Sequence, residues 1–299
     1  MNNVSPNLSC SDPAIRSELA VRCWSSHEVT TDDDATNEPS RSRGDDSCAV
    51  GHTMSRTLLN WAYMTNVGRV RRANQDSVWA NGSLFVVADG MGGHQGGEVA
   101  SRITVGSMSA VSEVGSVDEL RDAVVNANAL IRERGAADPA LGGMGTTVVA
   151  LGVLPASTTD GALHLGAANV GDSRLYLFAD GELEQISLDH SLVGELERAG
   201  QITSYEAARH PQRNVVTRAL GADADVDVDT WVIPAVIGQR YLLCSDGLVN
   251  EVSDDEIRAA LSAIEDPAAA TEALVNAANA SGGRDNITVL ILDILADPS

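Results

Sequence analysis

The chain has 299 residues, with 20 basic against 42 acidic side chains and a formal net charge of −22. A surface that acidic repels nucleic acid and anionic membranes, and no apolar stretch approaches the ~20 residues that a membrane-crossing helix needs. All 20 basic residues are arginine, which excludes the lysine-dependent chemistry of P-loops, kinase sites and Schiff bases.

Residues 1–54 are rich in Ser, Asp, Asn and Thr, with TTDDDATNEPSRSRGDDS at their centre. Lacking a sustained apolar period, they read as a disordered acidic and polar tail. The beginning has neither the basic nor the apolar region of a signal peptide. Three of the four cysteines (Cys10, Cys23 and Cys48, with Cys244 the fourth) fall in this stretch, and no CxxC pair exists. Neither a zinc site nor a disulfide scaffold is indicated, and reduced thiols in a cytoplasmic protein are expected.

Globular texture begins near Leu58, so a single domain is expected over residues 55–299. TLLNWAYMTN (57–66) and the pair within DSVWANGSLFVVAD read as strands, the latter pair joined by an Asn81-Gly82 turn. Two helices follow, over 97–114 and 117–137. The second is opened by Ser116 with Glu119 three residues on, the spacing of a capping box. TTVVALGVL, ALHLGAANV and SRLYLFADGELEQI read as strands, with a turn at Asp180-Gly181. Segments 190–200 and 203–209 are helical, WVIPAVIGQRYLLCSD returns to strand, 254–264 and 267–280 are helical, and NITVLILDIL closes the chain as a strand. Without βαβ alternation, this order predicts packed, largely antiparallel sheets with helices outside, an α+β fold.

Four aspartates sit at strand edges. LFVVADG ends its apolar run (84–88) with Asp89 and Gly90, and YLLCSDGL repeats the pattern with Asp246 and Gly247. Asp172 lies in a tight turn between two strands, and Asp285 just precedes the last one. A fifth acid, Asp76, precedes the strand at Val78. If they converge, so many carboxylates cannot all ionise without raised pKa values or compensating cations. Oxygen donors of this kind suit Mg²⁺ or Mn²⁺ rather than zinc.

VRRANQDS, VVADGMGGH, GMGTTVV, ANVGDSRLY, DHSLVGELERAGQI, HPQRNVVTRALG, LLCSDGL and GRDNITVLIL occur here in the order found in the metal-dependent protein phosphatases of type 2C. The chain resembles this family from about residue 57 to 294, and DGMGGH with the full 189–221 stretch resembles its bacterial serine/threonine branch. The resemblance implies a four-layer αββα sandwich, two mostly antiparallel sheets flanked by helix pairs, with metals in a cleft at one end. It implies two core Mg²⁺ or Mn²⁺ ions and a weaker third. Asp89 would bridge the core pair, Gly90 would offer its carbonyl, and Asp246 and Asp285 would complete the second ion. Asp172 and Asp246 would hold the third. Asp76 would position water, Arg71 would bind the substrate phosphate, and His94 is the candidate acid for the leaving group. Segment 189–221 would be a substrate-facing flap.

The implied reaction is hydrolysis of phosphoserine and phosphothreonine in proteins by a hydroxide activated at the dinuclear centre. Serine/threonine kinases are the expected counterparts and a monomer the expected state. One departure stands out: the family usually has glutamate before Asp76, and this chain has Gln75, which accepts hydrogen bonds but brings no charge. A binding or regulatory module on a degenerate phosphatase fold is the alternative, with Gln75 its only support. A cysteine-dependent phosphatase needs arginine six residues after its cysteine, where Cys244 is followed by Asn250. An aspartyl nucleophile in DVDVDTW would need a lysine.

Overall fold

The computed structural model describes residues 22–23, 47–53, 57–92, 95–111, 113–155 and 163–296. In chain order these form β1 (Arg22–Cys23), β2 (Ser47–Thr53), β3 (Thr57–Asn66), β4 (Asp76–Ala80) and β5 (Leu84–Met91), then helices α1 (Gly96–Ser109) and α2 (Val117–Ala137). Strands β6 (Gly145–Thr146), β7 (Val148–Leu154), β8 (His164–Val170), β9 (Arg174–Ala179) and β10 (Glu182–Gln185) follow. Short helices α3 (Leu192–Arg198) and α4 (Ser204–Ala207) precede β11 (Asp229–Pro234) and β12 (Arg240–Cys244). The chain ends with α5 (Asp246–Val249), α6 (Asp254–Ala263), α7 (Pro267–Ser281) and β13 (Ile287–Ala296).

One sheet has the order β1-β2-β3-β13-β12-β9-β10 and the other β11-β8-β7-β5-β4, with β6 pairing to β5. Every pairing is antiparallel except that of β1 with β2. The central strands are apolar on both faces because each is covered twice. In β5, Phe85 and Val87 face the other sheet, where they join Trp61, Tyr241, Leu243, Leu290 and Leu292. Leu84 and Val86 face the opposite way, onto Ala100, Met108, Leu120 and Val124 of α1 and α2. On the far side, Leu242, Val289 and Ile291 pack against Ile257, Leu261, Leu274 and Ala278 of α6 and α7. These three apolar layers make an αββα sandwich, as expected.

Several boundaries differ from the sequence reading. Strand β5 does not stop at Ala88: it runs through Asp89 and Gly90 to Met91, because Gly90 and Met91 pair with Thr146 and Gly145 of β6. The expected strand over 231–246 is two strands, parted by a turn in which Gly238 takes φ +92°. Ser116 accepts from the Glu119 amide, but the Glu119 carboxylate returns to Gly115 N rather than to Ser116, so the box closes one residue early. Asp180 (φ +53°) and Gly181 (φ +82°) both adopt the left-handed region that a two-residue hairpin requires.

Within the expected tail, Ser47–Thr53 is a strand paired antiparallel to β3 from Ser47↔Thr65 to Thr53↔Leu59. The sheet therefore begins before residue 55, because the outer edge of β3 offers a row of backbone donors and acceptors. The rest of that tail, apart from Arg22–Cys23, lies outside the described residues. Among the described residues, no helix is long and apolar enough to cross a membrane.

A buried ion pair ties the larger sheet to α6. Arg240 Nε meets Asp293 Oδ1 at 2.5 Å, and its remaining nitrogens donate to the carbonyls of Leu261, Ile264 and Glu265, which end that helix. Removing one partner would leave a buried charge uncompensated. Asp293→Ala should lower unfolding stability by about 3 kcal/mol, read as a lower denaturant midpoint; a shift under about 1 kcal/mol would show that the backbone carbonyls satisfy Arg240 alone.

Candidate functional site

All five aspartates lie at the same end of the sandwich. Asp76 opens β4 and pairs in register with Asp89 of β5. Asp246 is the first residue of α5, two residues past the end of β12, and Asp285 stands two residues before β13, the antiparallel partner of β12. Asp172 lies between β8 and β9 in a turn whose Gly171 takes φ +110°. Antiparallel pairing puts the end of one strand beside the start of the next, and that alternation gathers these positions.

Asp76 is the most firmly held. Its Oδ2 accepts from Ser245 Oγ at 2.8 Å and Thr288 Oγ1 at 2.7 Å, while its buried Oδ1 has no protein partner. The Asp89 main chain is bonded twice to Thr147 and once to the Thr146 hydroxyl. Asp246 accepts from Asn250 Nδ2 at 3.0 Å. Asn286 acts as a hub: its Oδ1 accepts from Gln75 N, and its Nδ2 donates to the carbonyls of Val67 and Ala73. The loop carrying Arg71 is thereby pinned to the start of β13. Ser245, Thr288 and Asn286 escaped the sequence reading, because nothing but adjacency to a motif aspartate marks them.

Glycines are required here by close approach. A Cβ on Gly90 would come within 2.2 Å of the Gly97 carbonyl and 2.5 Å of that of Gln75. One on Gly247 would meet the Asn286 carbonyl at 1.9 Å. The bare backbone lets β5, α1 and the loop before β4 crowd together behind the acids.

Burial and mutual repulsion push the acids up. The Asp246 carboxyl rises to about 6, through burial and then Asp285. Asp76 rises to about 7, mainly through burial, against the bonds from Thr288 and Ser245. Asp172 rises to about 8 through burial, Asp246 and Asp189. Asp89 is raised well above the ordinary carboxylate value by burial and then by Asp76, Asp246, Asp172 and Asp285. One electrostatic neighbourhood thus holds all five.

Among the described residues, Arg71 is the only cation in an ion pair with one of these five acids: its guanidinium meets Asp285 Oδ2 at 2.6 Å and is half exposed. Among the described residues, no group of three Asp, Glu, His or Cys side chains is already gathered to grip an ion. The acids share a space without converging on one point, and Arg71 covers one of them. An oxygen-only donor set, repelling charges and the unpartnered Asp76 Oδ1 together suit hard divalent cations. His94 and its neighbour Gly93 lie outside the described residues.

The segment 189–221 leaves the sandwich and returns close to its root. Ser191 bridges Val216, Thr217 N donates to the His190 carbonyl, and Leu220 bridges Thr146 beside Asp89. His190 is buried at its base, with Nδ1 accepting from Gly171 N and Nε2 3.1 Å from Asp229. His190 is structural, a buckle between this segment and the Asp172 turn.

The raised acids fix how stability depends on pH without metal. A group whose folded pKa exceeds its unfolded value contributes stability that is complete below the unfolded pKa and lost as pH rises through the folded one. That window runs from the ordinary carboxylate range through about 6, about 7 and about 8 for Asp246, Asp76 and Asp172. In a chelator, the melting temperature should fall between about pH 5 and pH 8, and excess Mn²⁺ should flatten that slope by replacing protons with cations. A melting temperature that rises over this interval in chelator would contradict the arrangement.

A family model described as protein phosphatase 2C matches residues 69–284. The serine/threonine protein phosphatase PstP of Mycobacterium tuberculosis is 40% identical over 242 residues, covering 80% of this chain and 45% of PstP. The chain thus spans about half the length of that relative. The serine/threonine phosphatase Stp of Listeria monocytogenes is 37% identical over 248 residues, 77% of this chain and 94% of Stp. A crystal structure of the M. tuberculosis PstP matches with a TM-score of 0.74 at 39% identity, over 79% of this chain and 99% of that one. Another, of the catalytic domain of PstP in complex with two manganese ions, matches with a TM-score of 0.70 at 38% identity, over 80% and 99%. By its matched sequence and its sandwich, this chain belongs to the protein phosphatase 2C family.

Proposed function

We propose that this chain is a metal-dependent protein serine/threonine phosphatase. The observation that carries the reading is one cluster of five carboxylates at one end of the sandwich, with Arg71 paired to one of them. Residues 55–299 supply the chemistry in this reading, and 189–221 serves as a flap facing the substrate. Phosphoserine and phosphothreonine proteins are the substrates, serine/threonine kinases the enzymes it opposes, and the chain acts as a monomer.

Asp89 would bridge two Mg²⁺ or Mn²⁺ ions, with the Gly90 carbonyl, Asp246 and Asp285 completing their protein ligands, and Asp172 with Asp246 would hold a weaker third. Such ions, when bound, polarise a phosphoryl oxygen and furnish a nucleophile at neutral pH. The protein does the rest. Asp76, fixed through one oxygen by Ser245 and Thr288, keeps the other free to accept a hydrogen bond and orient water. Gln75, its neighbour, contributes an amide where a carboxylate is usual and so lowers the negative charge facing the ions.

Arg71, held beside the acids by Asp285 and half exposed, presents a guanidinium that would grip two phosphoryl oxygens. The departing serine or threonine alkoxide needs a proton, and His94, in the loop between Asp89 and α1, is the proposed donor. Every aspartate that the family pattern assigns to the metals is retained, with Gln75 the one departure, which favours a working enzyme over a binding module.

Two variants test this. Asp89→Asn should abolish the rise in melting temperature produced by Mn²⁺ and cut turnover by at least about a hundredfold; an active Asp89→Asn protein would overturn the assignment. Arg71→Lys replaces a two-pronged donor with a point charge, so KM for a phosphopeptide should rise about tenfold while the Mn²⁺-induced stabilisation persists. Unchanged KM would place the phosphate elsewhere.

A further inference from the structure

Exposed arginines on this acidic chain are generally paired. On helix surfaces and at helix ends Arg102 meets Glu98, Arg121 meets Asp118, Arg134 meets Asp138 and Arg258 meets Asp255. Others donate to backbone carbonyls, as Arg132, Arg198 and Arg209 do. Among the described side chains, three arginines have neither a hydrogen bond nor an ion pair: Arg69, Arg72 and Arg213.

Arg69 borders the loop 282–285 directly, Arg72 belongs to the same short run as Arg69 and Arg71, and Arg213 acts on Glu251, which Arg284 of that loop clasps. The Arg69 amide donates to the Gly283 carbonyl at 2.7 Å, and its side chain passes beside Gly283. Arg72 lies exposed between Arg71, which is bonded to Asp285, and Ala73, whose carbonyl accepts from Asn286. Arg213 comes from the 189–221 segment. It stands near Glu251, whose carboxyl is held below its ordinary value first by its bond with Arg284 and also by the charge of Arg213. Glu251 is clasped by Arg284 through two bonds of 2.8 Å and so is already engaged. Val70 stands 64% exposed within the Arg69–Arg72 run.

A chain of net charge −22 repels an acidic peptide everywhere except where cations are left uncompensated. Here the uncompensated cations stand beside the residue proposed to hold the phosphate. We propose that Arg69, Arg72 and Arg213 form a second anion subsite, which selects phosphopeptides bearing an anionic side chain next to the phosphorylated residue. The ligand chemistry is an oxyanion, a carboxylate or a second phosphoryl group, met by the exposed guanidinium forks of Arg69 and Arg72 and the half-buried one of Arg213. Val70 supplies an apolar contact for the peptide between them. The inference rests on the phosphatase reading and names the substrate class of that same site.

The test uses the full chain with Mn²⁺ and four substrates: an aryl phosphate, and three phosphothreonine peptides identical except for one flanking position. That position carries glutamine, glutamate or a non-hydrolysable phosphonate. At low salt each anionic peptide should exceed the glutamine peptide in kcat/KM by about threefold to tenfold, an advantage that shrinks as salt rises. A larger gain for the phosphonate assigns a second phosphoryl group, and a larger gain for glutamate assigns a carboxylate.

The double variant Arg69→Gln/Arg72→Gln should erase the advantage while turnover of the aryl phosphate and of the glutamine peptide stays within about twofold, which also shows that it folds. Arg213→Gln should reduce the advantage in part. Equal turnover of all three peptides by the unaltered protein, or an advantage that survives the double variant, would overturn the subsite. Absence of phosphate release from every substrate, the aryl phosphate included, would instead overturn the phosphatase reading, and the subsite with it.

Discussion

Five carboxylates held in one small space repel one another, and the rest of this structure is arranged around keeping them there. Two unit charges about 4 Å apart interact with about 4 kcal/mol at an effective dielectric near 20, so an unsupported loop would carry such a cluster apart. Here the acids sit on the ends of strands whose apolar faces are locked into three layers. Trp61 meets Phe85 edge-on at 5.6 Å between the sheets, and central strands such as β5 and β13 are covered on both faces. The repulsion appears as raised proton affinity rather than as displacement.

Around the acids runs a shell of neutral polar groups, each with a defined task. Ser245 and Thr288 fix one oxygen of Asp76 and leave the other unsatisfied inside the protein. A buried acceptor without a partner is costly, and it persists because two hydroxyls over-determine its position. Asn286 links β13 to the loop that bears Arg71, and the glycines at 90, 97 and 247 let three backbone segments meet where any side chain would collide. Strands β4 and β5 supply Asp76 and Asp89, and the connections at the same end supply Asp172, Asp246, Asp285 and Arg71.

Charge is distributed against the average of the chain. Acid predominates over the whole surface, yet the loop before β4 carries Arg69, Arg71 and Arg72 within four positions, and Arg213 and Arg284 approach from the other side. Net charge alone speaks of repulsion from anions. Among the described residues, the arginines of this loop set positive charge locally against that average, beside the acid cluster.

Much of this was legible in the sequence. Apolar periods placed the strands β3, β7, β8, β9 and β13 and helices α2, α6 and α7, because a strand buried on both faces must be apolar throughout and a helix only on one side. Aspartates at the ends of those runs marked themselves as candidates, since an acid at the limit of a core needs a reason to be there. What the sequence did not disclose was pairing. Nothing local says that Asp89 lies within a strand rather than after it, since the partner that prolongs β5 is a two-residue strand more than fifty residues away in β6. Ser245 and Thr288 reach Asp76 across separations of 169 and 212 residues, and common hydroxyl residues leave no pattern to be read. The sequence by itself therefore determined which segments form strands and helices and which acids stand at their ends, because those follow from local periodicity. Only the tertiary structure decided which acids meet, how Asp76 is held and which arginines go unpaired, because these depend on contacts that exist only once the two sheets have packed.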